Sequence, residues 1–129
     1  MLDDKNLLAQ RDPGNTRTSA VAVTTQTDFA AEVESPATPG EVTSVVLAGM
    51  GGSALAADMV KVLTADQVTV PLEVTKGYQL PNFVNEKTLV IAISHSGNTE
   101  ETISCYQQAR QRGCQLAVMA TGGKLFAAA

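Results

Sequence analysis

The chain has no tryptophan, and only two tyrosines and three phenylalanines, among its 129 residues. Proteins that bind single-stranded nucleic acid stack bases on exposed aromatic rings, and this composition offers few of them. Cationic side chains are also scarce: 9 Lys and Arg stand against 13 Asp and Glu, a net charge of −4. Neither nucleic acid nor an anionic lipid surface is an expected partner, because both are held by clustered lysine and arginine. Cys105 and Cys114 are the only cysteines. One falls inside a predicted helix and the other opens the next strand, which argues against a disulfide framework and predicts buried, reduced thiols. No apolar run approaches the roughly 20 residues of a membrane helix. The first 30 residues lack a charged head followed by an apolar stretch. A soluble, cytoplasmic protein is expected.

What is present is a hydrophobic content of 44%, rich in Ala, Val and Thr, which suits the interior of one α/β domain. Residues 1–43 differ in texture from the rest. Asp12-Pro13-Gly14 and Ser35-Pro36-Ala37-Thr38-Pro39-Gly40 are breaker clusters. Between them Val21, Thr24 or Thr25, Phe29 and Val33 recur at roughly helical spacing, so this stretch is expected to form a helix.

From Ser44 the pattern is regular. Ser44 to Ala48, Thr88 to Ile93 and Gln115 to Ala120 are short apolar runs of the kind that form strands buried on both faces. Val68 to Val74 is a further strand candidate, and Pro71 within it predicts an edge position or a late start. Ser53 can cap a helix in which Leu55, Met59, Val62 and Leu63 share one stripe, ending near Thr64 or Ala65. A second helix opens after Asn98, read as its N-cap with Glu101 three residues on, and buries Ile103, Tyr106 and Ala109 or Arg110 before Gly113. The final Phe126 to Ala129 is too short to hold a helix alone, which would leave the last strand bare on its outer side. Strands alternating with helices predict a parallel sheet whose connecting turns share one edge.

Those turns are Gly49-Met50-Gly51-Gly52-Ser53, Ser94-His95-Ser96-Gly97-Asn98-Thr99 and Thr121-Gly122-Gly123-Lys124. Two strand-to-helix turns laden with glycine and hydroxyls bring N–H groups, hydroxyls and two positive helix ends around one crevice, which is a means of holding a phosphate. Gly49 to Ala54 also fits the dinucleotide fingerprint, with Glu73 near the place of a ribose-binding acid. A dinucleotide site has no need of the hydroxyl-rich second turn, whereas a compact phosphate does.

Together, Gly-Met-Gly-Gly-Ser-Ala and Ser-His-Ser-Gly-Asn-Thr-Glu-Glu-Thr resemble the sugar isomerase (SIS) domains that bind phosphosugars. Pro71 to Pro81, Thr88 to Ile91, Gly122 to Leu125, Met1 to Asp4 and Arg11 to Pro13 look like the bifunctional phosphoglucose/phosphomannose isomerase branch of that family. The resemblance implies a flavodoxin-like parallel sheet with helices on both faces, here an incomplete SIS domain over residues 44–129 behind a helical extension over 1–43. It implies a tandem second SIS domain, a homodimer in the full-length form, a sugar phosphate as ligand and no cofactor. Gly51, Gly52, Ser53, Ser94, Ser96, Asn98, Thr99 and Lys76 are the phosphosugar-binding residues it points to.

The family's catalytic Glu, His and Lys would lie beyond this chain, so no residue here is given a catalytic role. Lys76 stands where the branch usually has Arg, exchanging a planar bidentate donor for a point charge. His95 stands where Tyr is common. As the sole histidine it invites a general acid/base reading, but alternation along the strand end turns it away from the flanking serines, as a packing or surface residue. Glu100 and Glu101 read as partners of a helix dipole rather than a catalytic pair. Lys124 suits either a solvated turn or a phosphate contact. The expected function is the phosphate-holding half of an aldose–ketose isomerase; a noncatalytic phosphosugar-binding or regulatory module and a dinucleotide-binding domain are the alternatives.

Overall fold

The computed structural model of the chain describes residues 4–28 and 40–129, which belong to two units, Met1–Pro36 and Ala37–Ala129. In the first, the Asp4 carboxylate accepts from the N–H groups of Asn6 and Leu7 and so caps helix α1, Lys5–Arg11. Asp12 ends α1, and its carboxylate accepts from the N–H groups of Thr16 and Arg17 at 2.8 and 2.9 Å, at the start of α2, Thr16–Ala22. Those two bonds hold the Asp12 pKa below the ordinary value. A 3₁₀ helix follows over Val23–Asp28. The expected helix is thus α-helical only to Ala22, and Val21 is exposed rather than packed. Beyond it the Thr24 and Thr25 hydroxyls donate to the carbonyls of Val21 and Ala22 and compete with helical bonding. Phe29, Val33 and the breakers at 35–39 lie outside the described residues.

In the second unit, β1 (Ser44–Gly49), β2 (Leu72–Thr75), β3 (Thr88–Ser94) and β4 (Gln115–Ala120) form one parallel sheet in the order β2-β1-β3-β4. Val46 pairs with Glu73 on one side and Val90 on the other, and Val90 pairs with Leu116. β2 occupies an edge and starts only after Pro71, whose carbonyl accepts from Val45 N–H at 2.8 Å.

Helix α3 (Gly51–Leu63) links β1 to β2, α4 (Glu100–Gln111) links β3 to β4, and α5 (Gly123–Ala128) follows β4. The first crossover runs toward one edge and the second toward the other, so right-handed connections place α3 and α4 on opposite faces. The parallel sheet with helices on both faces is consistent with the flavodoxin-like architecture that was expected. Under α4, Val46, Ala48 and Val90 are fully buried with Cys105 and Ala109. Leu125 of α5 is 1% exposed against Ala92 and Tyr106. That anchor, together with the Tyr106 hydroxyl donating to the Ala128 carbonyl, accounts for a helix at a terminus that the sequence reading left without one.

The stripe on α3 faces outward. Only Ala54 and Ala57 of this helix are buried, whereas Leu55, Met59, Val62 and Leu63 are 62, 58, 75 and 71% exposed. Small side chains let the helix lie close to the sheet, and the large ones on its other side lose the roughly 1.5–3 kcal/mol that burial would give each of them. Among the described residues no helix is long and apolar enough to cross a membrane.

Candidate functional site

β1 and β3 are neighbours in the middle of the sheet, so the turns leaving their carboxyl ends meet at one edge. An open cavity of about 850 Å³ lies there, lined by Gly52 and Ser53 from the first turn, by Ser96 and Thr99 from the second, and by Thr121 beyond β4. Gly51 opens α3 at φ +56°, which places Gly52 and Ser53 in the first helical turn. The Ser53 N–H donates to the Met50 carbonyl at 3.2 Å, and the N–H groups that open the helix carry the positive end of its dipole, which suits an anion. A Cβ at Gly52 would meet nothing within 4 Å, so the backbone is open to an approaching ligand.

The hydroxyls differ in how far the fold already uses them. Ser53 lines the cavity, and its hydroxyl has no partner among the described residues. It does not cap α3, whose N-cap is Met50. Ser96 Oγ accepts from Asn98 N–H at 3.2 Å, and Thr121 Oγ1 donates to the His95 carbonyl at 2.6 Å. Ser94 is 1% exposed, its hydroxyl 2.9 Å from Thr99 Oγ1 and accepting from Gly97 N–H at 3.1 Å. It sits behind the cavity lining and shapes the loop that supplies Ser96 and Thr99.

Asn98 does not cap α4. Thr99 is the N-cap, without a side-chain cap bond because its hydroxyl meets Ser94. The Asn98 carboxamide instead spans two loops, donating to the Ser96 carbonyl at 3.2 Å and accepting from Lys124 N–H at 3.1 Å. Lys76 lies away from this lining, ion-paired with Asp58 at 2.5 Å. Glu73 pairs with Lys61 at 2.8 Å on the edge strand and is likewise outside it. Of the positions expected to bind a phosphosugar, the fold therefore brings Gly52, Ser53, Ser96 and Thr99 onto one surface, with Gly51 and Asn98 beside them in their turns.

His95 follows Ser94 in the strand's alternation, and it is exposed and lines the cavity. It does not turn away from both flanking serines as expected, since Ser96 lines the same cavity. Thr121 was not singled out by the sequence reading, although a hydroxyl in the third turn on the same sheet edge was the available signal. Glu100 and Glu101 open α4 outside the cavity lining; Glu100 accepts from the Tyr78 hydroxyl at 3.4 Å. The charges of Glu101 first, then burial and the charge of Glu100, raise the Tyr78 pKa.

The sequence profile of the SIS domain matches residues 41–125, which span the whole sheet and all three turns. The chain belongs to the SIS domain family. A bifunctional phosphoglucose/phosphomannose isomerase from Caldicellulosiruptor bescii is 46% identical over 85 residues, 66% of this chain and 25% of that protein. One from Thermoplasma volcanium is 38% identical over 86 residues, 67% of this chain and 27% of that protein. The tagatose-6-phosphate ketose/aldose isomerase of Escherichia coli superposes with a TM-score of 0.58 at 21% identity, over 69% of this chain and 27% of that one, a likeness of fold. This SIS chain spans about a quarter of the length of the curated relatives it matches.

Proposed function

We propose that this SIS domain is the phosphate-holding half of an isomerase that interconverts an aldose phosphate, glucose 6-phosphate or mannose 6-phosphate, with fructose 6-phosphate. The observation that carries the reading is the convergence of Gly52, Ser53, Ser96 and Thr99 on one open cavity at the carboxyl edge of β1 and β3. The names of the relatives at 46 and 38% identity favour the same chemistry.

In this reading the phosphate seats at the first turns of α3 and α4, where N–H groups and the Ser53 and Ser96 hydroxyls donate to its oxygens. Anchoring the phosphate fixes C1 and C2 relative to the protein, and that positioning lowers the barrier to moving a proton between them through a cis-enediol. Among the described residues lining the cavity none is a carboxylate; in this reading the cavity anchors the phosphate and the general base is not assigned to its lining. Ser94 and Asn98 hold the second loop in shape, and Lys76 reaches the sugar once it leaves Asp58. The enzyme is a homodimer, a reading favoured by the apolar side chains exposed on α3.

Calorimetric titration tests the proposal. Fructose 6-phosphate is expected to bind, unphosphorylated fructose to bind at least about tenfold more weakly, and Ser53→Ala to weaken the phosphate ester by about 1 kcal/mol or more. Equal affinity for fructose and its phosphate contradicts the reading.

A further inference from the structure

Every residue described around the cavity is uncharged at all physiological pH values except one. His95 is the single ionisable residue in a lining otherwise made of hydroxyl, glycine and apolar side chains, and it is the only histidine of the chain. A protonated imidazole can pair with a phosphate oxygen as ion and hydrogen-bond donor, which none of the other lining side chains can do.

From this placement we infer that His95 is the affinity-tuning residue of the phosphosugar site: its imidazolium pairs with the phosphate and makes ligand capture pH-dependent. The inference rests on the phosphosugar reading and adds to it a residue that neither the hydroxyl pattern nor the helix ends supply. The carbonyl of His95 accepts both the N–H and the hydroxyl of Thr121, at 3.1 and 2.6 Å, which fixes the backbone from which the ring extends. The residue is exposed and lines the cavity.

The groups around His95 leave it without a competing charge. The residues that line the cavity with it from the first turn and α3, Met50, Ser53 and Ala56, and from β4, Met119, are not ionisable. On its own turn Ser96 and Thr99 are neutral, and the acids that follow, Glu100 and Glu101, stand outside the lining. Lys124, beyond the Thr121 turn, is also outside it, and Lys76 is held by Asp58. An anion entering the cavity is then the strongest electrostatic partner available to the imidazolium.

The sign of the effect follows. Binding an anion favours the protonated ring, so the added affinity belongs to the acidic side of the range and is lost as pH rises. To separate this from ionisation of the ligand, the probe is fructose 6-sulfate, whose charge is constant across the range. Titration of the full chain from about pH 5.5 to about pH 8.5 is expected to show affinity falling about fivefold, with the single imidazole proton resonance shifting to a higher midpoint when fructose 6-phosphate saturates the site. His95→Gln should abolish the pH dependence and settle at the wild-type affinity of high pH. A pH profile unchanged in His95→Gln, or an imidazole midpoint indifferent to saturation while both esters bind, overturns the role of His95 and leaves the phosphate site standing. A folded chain that binds neither ester at any pH overturns both.

Discussion

Gly97 lies directly against the carbonyl of Gly122: a Cβ at position 97 would stand 1.8 Å from that oxygen. The contact is reciprocal, since a Cβ at Gly123 would stand 2.4 Å from the Ser96 carbonyl, and both glycines have positive φ. The second and third turns are therefore built as one interlocked pair, closed by Leu125 N–H donating to the Gly97 carbonyl at 2.9 Å.

Gly97→Ala combines a left-handed backbone with a backbone clash that no side-chain movement relieves. It is expected to cost about 2 kcal/mol or more in urea denaturation. Gly52→Ala is the contrasting case, because its Cβ enters open space on a helical turn. It should leave stability unchanged or raise it by up to about 1 kcal/mol while weakening fructose 6-phosphate, whose approach the methyl obstructs. A loss of stability in Gly52→Ala would contradict this division of roles.

Two serines of the same proposed site should respond in opposite ways. Ser94→Ala removes a buried hydroxyl that serves Thr99 and the N–H of Gly97, and thermal unfolding should report a loss of about 1–2 kcal/mol. Ser53→Ala removes a hydroxyl with no partner among the described residues, so it should change stability by less than about 0.5 kcal/mol and act on ligand affinity alone.

The outward stripe of α3 makes self-association the expected state. Met59→Lys with Val62→Lys alters side chains that are 58 and 75% exposed, so the fold should keep its unfolding midpoint while sedimentation shifts toward monomer. A wild-type chain that sediments as a monomer at high concentration would contradict the dimer.

Burial pushes the Cys105 thiol up to about 11, slightly offset by the charge of Arg112. At pH 8 the thiol is protonated and should react with disulfide reagents only as fast as the fold opens. The unfolded thiol ionises first, near pH 8.5, so the stability tied to keeping Cys105 neutral is present below that pH and lost as pH rises toward about 11. Denaturation at several alkaline pH values should show a shallower decline in Cys105→Ala than in the wild type.

The parallel sheet was legible because Val46, Ala48, Val90 and Ala92 fall in continuous apolar runs that only a strand covered on both faces explains. The edge position of β2 was legible in Pro71. What pattern reading could not supply was which side of α3 faces in, since hydrophobicity favours Leu55 and Met59 whereas close packing on the sheet selected Ala54 and Ala57. The division of labour among the hydroxyls was equally hidden. Ser94 and Ser96 are alike in sequence and alternation alone would put them on one face; β3 ends at Ser94, whose hydroxyl meets Thr99, and the turn that follows leaves Ser96 at the cavity. His95 was expected to turn away from both flanking serines, whereas it lines the cavity together with Ser96, because the strand ends at Ser94 and alternation does not extend into the turn.

The most direct test of the phosphate site is amide mapping by two-dimensional NMR as fructose 6-phosphate is added. The account predicts that the largest shifts fall on the backbone N–H groups of Gly52, Ser53, Ser96 and Thr99, and that fructose at the same concentration leaves them in place. Shifts confined to other residues, or the same shifts with unphosphorylated fructose, would contradict the claim that these turns hold a phosphate.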